Sequence, residues 1–477
     1  MARPAGNCDR HGMNSSQGPD KISNEHHIPA TVSGPYPPRA GNDVRALVDG
    51  LPAFRRICAA IAAARHSIWL TVAFIAPDFR MPDGQGSLFD VLDRAAARGL
   101  DVRVIFWRPR AESSGYGKTF AGTPAERAML AARASRFLAR WDRAPGAACQ
   151  HQKTWLVDAG HPGEIAFIGG INLNPRAIVA PGHGGENEIH DVYVEVAGPA
   201  ATDVHHNFVQ RWNEASERAA ADGVWGHDGA DTMAFPGRLS PPAGPSLVQI
   251  QRTIPAGHYS NGHPPPLGHR TDIAAGEQSI FEQYRLAIDA ARSTIYIENQ
   301  AVPVPQITAR LEAALRRGVD IVLLVPADPD EHVRAARRHH DHRARFEGLT
   351  ALGHHENFML AGIAGRTAQG RRCNVYVHGK IMLVDDAWAT IGSCNLHANS
   401  LFAHSEMNAS IHDPAGVRAL RCALLGEHLG RDTGDLDDRG ALACYRRTAR
   451  LNRSRRDDGD HDWQGLAFRL DPATYGA

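Results

Sequence analysis

Two nine-residue stretches carry side chains able to do chemistry together. HQKTWLVDA sets out His151, Lys153 and Asp158 in the order in which HGKIMLVDD sets out His378, Lys380 and Asp385, and the two histidines lie 227 residues apart in the chain. Side chains alternate along a strand, so each His and Lys two apart share a face, while the apolar run behind them reads as a buried strand. An imidazole beside an ammonium is a costly start for a core strand, and the cost is met twice in register. Each copy continues to a small-residue corner and an amide: Gly169, Gly170 and Asn172 in FIGGIN, and Gly392, Ser393 and Asn395 in TIGSCN. An acid follows in both, Asp191 in HDVYVEV and Glu406 in SEMNASI.

A doubled set of this kind suits transfer at phosphorus. A neutral imidazole is a good nucleophile toward phosphorus, and a protonated one is a good general acid for a departing alkoxide. Two lysines and two asparagine amides supply fixed charge and dipoles for the non-bridging oxygens. Asp191 and Glu406 are each placed to accept from the far nitrogen of a histidine, fixing its tautomer. No metal and no other cofactor is required by this scheme. Strict alternation from Lys380 puts Asp385 on the opposite face, so Asp158 and Asp385 are expected to pin a strand end or turn without touching substrate.

The elements that must position these groups are also duplicated. FRRICAAIAAARHSIWLTVAFI (54–75) and LFDVLDRAAARGLDVRVIFW (88–107) read as helices running into buried strands, and YRLAIDAARSTIYIENQAV (284–302) and LEAALRRGVDIVLLVP (311–326) repeat that order. This is α/β patterning in a chain built from two copies. The reading divides the chain into a polar N-terminal arm (1–42), a first repeat (43–218), a Gly/Pro-rich connecting segment (219–274), a second repeat (275–432) and a charged extension packing on the second half (433–477).

Composition narrows the partners. Lys+Arg and Asp+Glu both number 52 among 477 residues, which gives no global field for a long nucleic acid, and none is expected as a partner. The seven cysteines are scattered without a Cys-x-x-Cys spacing, so neither a disulfide framework nor a zinc site is indicated from them. The first residues lack the apolar core of a signal peptide and no segment approaches a membrane span, so the expectation is a monomer that is cytoplasmic or peripheral at a membrane. The histidine- and arginine-rich stretch 332–358 reads as a solvated face able to meet anionic head groups. Cys149 and Cys394 read as packing residues, and Glu298 and Asn299 as either pocket lining or a buried strand end.

The duplicated H-x-K-x4-D motif with Gly-Gly or Gly-Ser and Asn behind it resembles the phospholipase D superfamily. IYIENQ (295–300), HDVYVEVAGPAATDVHHNFVQRWN (190–213) and LRCALLGEHLG (420–430) look most like its phosphatidylcholine-type members. The resemblance spans roughly residues 43–470. It implies two similar α/β/α sandwich halves with central mixed sheets, related by a pseudo-twofold axis, with one active site between them. It further implies a catalytic set of His151, Lys153, Asp158, His378, Lys380 and Asp385, with Asn172, Asn395, Gly170 and Ser393 binding substrate. His151 would form a phosphohistidine, His378 would protonate the leaving alcohol, and Asp191 would stand behind His151 and Glu406 behind His378. The implied activity is phospholipase D hydrolysis of a phospholipid at a membrane surface, with water or an alcohol as acceptor. The alternative is phosphatidyl transfer of the cardiolipin synthase type, and behind it a nuclease or a non-catalytic binding protein on the same fold. The loop PGHGGENEI before Asp191 departs from the family pattern and is expected to shape the entrance.

Overall fold

A computed structural model of the chain describes residues 28–215 and 232–477. Its first half is a mixed sheet in the order Leu138–Asp142, Asp101–Trp107, Ser67–Val72, Thr154–Val157, Ile165–Gly169, Val192–Ala197, Arg39–Val48, parallel over the first three strands and antiparallel thereafter. The second half repeats both order and sense: Phe358–Arg366, Asp320–Leu324, Thr294–Glu298, Ile381–Val384, Trp388–Gly392, Glu406–His412, Ser246–Ile254. The mixed α/β class and the duplication read from the sequence are therefore present strand by strand.

Local chemistry explains why these segments adopt these forms. Helix Gly50–Ala63 buries Ala53, Phe54, Ile57, Ala60 and Ile61, a stripe at three- and four-residue spacing that can face only one way. Helix Leu88–Ala97 opens with a capping box in which Ser87 and Asp90 each accept the other's backbone N–H, an arrangement worth about 1 kcal/mol. Its chain leaves through Gly99 at φ +86°, and the matching helix Pro305–Arg316 leaves through Gly318 at φ +86°, a left-handed exit that glycine makes at no steric cost.

Strand Ser246–Ile254 corrects the reading of 219–274 as connecting segment. It pairs along its length with Glu406–His412 and meets the first half at Arg39↔Val248 and Asn42↔Ser246, so the two sheets join at their edges. Proline and glycine on both sides dominate the composition of that stretch and hide a nine-residue strand. The boundary at residue 42 also moves, because the first strand begins at Arg39, and Tyr36 is buried with its hydroxyl 3.0 Å from His206 Nδ1. The rest of the expected arm, residues 1–27, lies outside the described residues. At the other end, Ala467–Arg469 adds to the second sheet beside Phe358–Arg366, and helix Asp438–Asp457 lies along that half.

One apolar core contains residues of both halves, Ile168 and Val194 with Ile391 and Ala409 among them, while two further cores hold each half's outer helices to its sheet. Helix Pro199–Glu214 lies in the shared core with almost all of its residues buried. Among its buried polar side chains, Asp203 takes Nε and an Nη of the Arg39 guanidinium at 3.0 and 2.9 Å.

The two motif aspartates end their strands as alternation requires. Asp158 accepts the backbone N–H groups of Arg65, His66 and Ser67 at 2.7–3.1 Å, and Asp385 those of Arg292, Ser293 and Thr294 at 2.8 Å. Both aspartates sit at positive φ, +54° and +56°. Neither belongs with the catalytic set that the resemblance implied; each locks a motif strand to the start of its neighbour. Asp385→Ala removes the acceptor for three N–H groups and puts an alanine in the left-handed region, so urea denaturation should show a loss of about 1–3 kcal/mol.

Candidate active site

The two histidines reach one cavity of about 670 Å³ between the halves, lined also by Asn172, Asn395, Phe74, Tyr116 and Arg345. The backbone brings them there. Each motif enters its strand through a short parallel pairing with the other half: Tyr376–Val377 runs beside Ile189–His190, and Gln150 bridges Ser405. The His378 N–H donates to the His190 carbonyl at 2.8 Å, and the His151 N–H to the Ser405 carbonyl at 2.9 Å. The residue after each of those carbonyls is the acid.

The carboxylates consequently serve histidines of the opposite half. His151 Nδ1 lies 2.9 Å from Glu406 Oε2, and His378 Nδ1 lies 2.5 Å from Asp191 Oδ2. This reverses the expected pairing of Asp191 with His151 and Glu406 with His378. Sequence symmetry permits either arrangement, and the parallel cross-half pairing selects this one. In both dyads Nδ1 is taken up by the acid, which leaves Nε2 for chemistry.

The small-residue corners make room for the acids. A Cβ on Gly170 would meet Asp191 Oδ1 at 2.4 Å, so only glycine admits that carboxylate. The second half has Ser393 at this place, and its hydroxyl donates to Glu406 Oε2 at 2.5 Å. Both residues thus act on the orienting acids, whereas the resemblance had placed them on substrate. Asn172 and Asn395 do line the cavity, and the Oδ1 of each is buried without a hydrogen-bond partner, so neither amide is committed to the fold.

Lys153 Nζ donates to the His151 carbonyl at 2.7 Å and lies 5.6 Å over the Phe74 ring. Lys380 Nζ donates to the His378 carbonyl and to Gln300 Oε1. Gln300 was missed in the sequence, although it ends the IYIENQ stretch; only its neighbours drew notice. Those neighbours, Glu298 and Asn299, are buried strand-end groups: Glu298 binds His190, and Asn299 accepts the N–H groups of Ala301 and Leu396. His404 was also missed. Its ring lies 6.0 Å from that of His151, and its Nδ1 accepts the Cys149 N–H at 3.1 Å. Of the two cysteines, Cys149 touches the cavity, and burial pushes both thiols well up, which keeps them protonated.

Burial sets the electrostatics. It holds His151 well below the ordinary imidazole range, with Lys153 and Lys380 adding to the effect, and brings His378 down to about 4 against the pull of Asp191. It also lowers Lys153 to about 8 and Lys380 to about 7, and raises the Glu406 carboxyl. Burial thus leaves both lysines short of a counter-charge that would hold their protons. A lysine with a depressed pKa is charged below that value and neutral above it. With His378 brought down to about 4, a kcat/KM profile that needs its proton declines above that pH, and the loss of the lysine charges should steepen the decline as pH rises from about 7 to about 8. Lys380→Met should lower the whole profile and remove the break near 7 while keeping the one near 8; an unchanged slope from about pH 6 to about pH 9 in the unaltered protein would contradict this.

Comparison with known proteins gives a consistent family. Residues 57–212 and 284–424 match the family model described as cardiolipin synthase, PLD-like domain. The chain is 26% identical over 386 residues to cardiolipin synthase A of Pseudomonas entomophila, covering 80% of this chain and 67% of the relative. It is 24% identical over 396 residues to a cardiolipin synthase of Listeria monocytogenes serotype 4b, covering 81% and 69%. The crystal structure of phosphatidylserine synthase from Haemophilus influenzae superposes with a TM-score of 0.54 at 13% identity, over 80% of this chain and 86% of that one, which is a likeness of fold alone. The expected kinship with phosphatidylcholine-type phospholipases D, and with it hydrolysis to phosphatidic acid as the main activity, is overturned by these matches: the relatives are cardiolipin synthases.

Proposed function

The chain belongs to the PLD-like domain family of the phospholipase D superfamily, and from that premise we propose that it is a phosphatidyltransferase, moving a phosphatidyl group from one phospholipid to the hydroxyl of a second lipid alcohol. The observation that carries this reading is the pair of cross-half His–carboxylate dyads facing one cavity, in a chain whose relatives are named cardiolipin synthases.

His151 Nε2 attacks the phosphorus of the donor lipid. The P–O bond to the head-group alcohol breaks, His378 Nε2 gives its proton to the departing oxygen, and a phosphatidyl–histidine remains. The acceptor hydroxyl then takes the place of the alcohol, returns a proton to His378 and attacks phosphorus, and the P–N bond to His151 breaks. Lys153, Lys380, Asn172 and Asn395 hold the non-bridging oxygens throughout. The asymmetry of the dyads favours these roles: His151 is held furthest toward the neutral form by burial and the two lysines, whereas Asp191 sustains proton affinity on His378. Both imidazoles are about nine-tenths buried, which limits competing water.

The substrate meets the protein as a lipid surface. Arg337, Arg338, His339, His340 and Arg343 border a second cavity, and the adjoining His342 and Arg345 line the first. This basic rim suits anionic phospholipid head groups and gives the His-rich stretch a purpose. Among the described residues no helix is long and apolar enough to cross a membrane.

Vesicles of phosphatidylglycerol should yield diphosphatidylglycerol and glycerol on incubation with the protein, identified by mass spectrometry. His151→Ala should reduce turnover by about 10⁴-fold or more. Phosphatidic acid as the sole lipid product, or turnover surviving in His151→Ala, would overturn the reading.

A further inference from the structure

Beside Asp191 lies a buried polar cluster that phosphoryl transfer does not use. Asp49 comes from the junction of the first strand and first helix, His183 from the Gly-rich loop PGHGGENEI, His190 from the segment preceding Asp191, and Glu427 from the closing helix of the second half. Asp49, His183 and His190 are at most 1% exposed, and the Glu427 side chain is 7% exposed. One ligand-capable atom from each of the four lies within 4.8 Å of all the others.

One ordinary hydrogen bond lies in the cluster, His190 Nδ1 to Asp49 Oδ1 at 2.9 Å, but the contacts of His183 do not follow that pattern. His183 Nε2 stands 3.3 Å from Asp49 Oδ2, 3.3 Å from Glu427 Oε1 and 3.3 Å from His190 Nδ1. A ring nitrogen carries one proton at most and cannot donate to three partners, and charge-assisted N–H···O bonds close to about 2.7–2.9 Å. If both rings were imidazolium, two cationic nitrogens would face each other at 3.3 Å in a dry interior. Around a zinc ion with bonds of about 2.0–2.1 Å, by contrast, ligand atoms at tetrahedral corners are about 3.3–3.4 Å apart. The three edges that meet at His183 Nε2 have that length.

Two further features match ligation. Each histidine has a carboxylate beside its other nitrogen: His190 Nε2 is hydrogen-bonded to Glu298 Oε2 at 3.1 Å, with Tyr296 donating to Glu298 at 2.7 Å, and His183 Nδ1 stands 3.3 Å from Glu188 Oε2 without a hydrogen bond. That outer ring of acids is the usual support of metal-bound imidazoles. Asp49 Oδ2 and Glu427 Oε2 are buried without a hydrogen-bond partner, and Asp49 is held at φ +65°, a conformation that a buried aspartate adopts only where its surroundings demand it.

We propose that Asp49, His183, His190 and Glu427 hold a divalent transition-metal ion of the zinc type. Two carboxylates neutralise the dication, and two neutral imidazoles complete a donor set suited to such ions. The ion fastens the Gly-rich loop to both halves, next to the acid that orients His378; the Asp191 N–H reaches Asp49 Oδ1 at 3.4 Å. The loop departs from the family pattern because it supplies a ligand. This site is independent of the transfer reaction and stands or falls apart from it.

The test is metal analysis of the full-length protein purified on a non-chelating affinity resin. Plasma mass spectrometry should find about one equivalent of zinc or a similar ion per chain, and stripping with a chelator should lower Tm by more than about 5 °C, restored by zinc chloride. His183→Gln and, separately, Glu427→Gln should each lose the metal while circular dichroism stays native, and His151→Asn should retain it. Less than about 0.1 equivalent with no rise in Tm on adding zinc, manganese or iron salts would overturn the site. So would metal retained in both His183→Gln and Glu427→Gln, or metal lost in His151→Asn alone, which would place it in the cavity.

Discussion

The hydrogen bond from His151 Nδ1 to Glu406, crossing 255 positions of sequence, and its counterpart between His378 and Asp191, crossing 187, form the constraint on which the molecule is organised. A buried histidine needs a partner to fix its tautomer, and each here finds that partner only in the opposite half. Everything that holds the halves in register therefore also tunes the site. The edge joint at Arg39 and Val248, the shared core, and the short parallel pairings beside His151 and His378 all fix a distance between an imidazole and an acid.

The same burial that orients these groups also depletes their charge. Two lysines, two imidazoles and two acids lie almost without water, and the cations have lost part of their affinity for protons. In the proposed transfer, the negative charge of a phosphodiester strengthens the protonated forms around it.

Much of this was legible in the sequence because duplication turns a loose pattern into a specific one. His151, Lys153, His378, Lys380, Asn172 and Asn395 all reach the cavity or its histidines, and alternation alone moved Asp158 and Asp385 to the scaffold. The dyad pairing was not legible, since a twofold sequence is equally compatible with acids serving their own half or the other. Ser246–Ile254 was hidden by the prolines and glycines around it, and Gln300 and His404 carry no periodic signal. The choice of acceptor was illegible for a chemical reason: water and an alcohol oxygen attack the same intermediate from the same side. No motif residue distinguishes them, and only kinship moved the reading from hydrolysis to transfer.

The reciprocal exchange of carboxylates also gives the chain a timetable. As it leaves the ribosome, His151 emerges some 255 residues before the acid that will orient it. The first sheet can close on its own strands well before then, yet it closes around an imidazole without a companion. Both His–carboxylate dyads exist only when the second sheet has joined the first. A fragment that ends before Glu406 therefore holds His151 without the acid that fixes its tautomer, so the two halves complete the site only together.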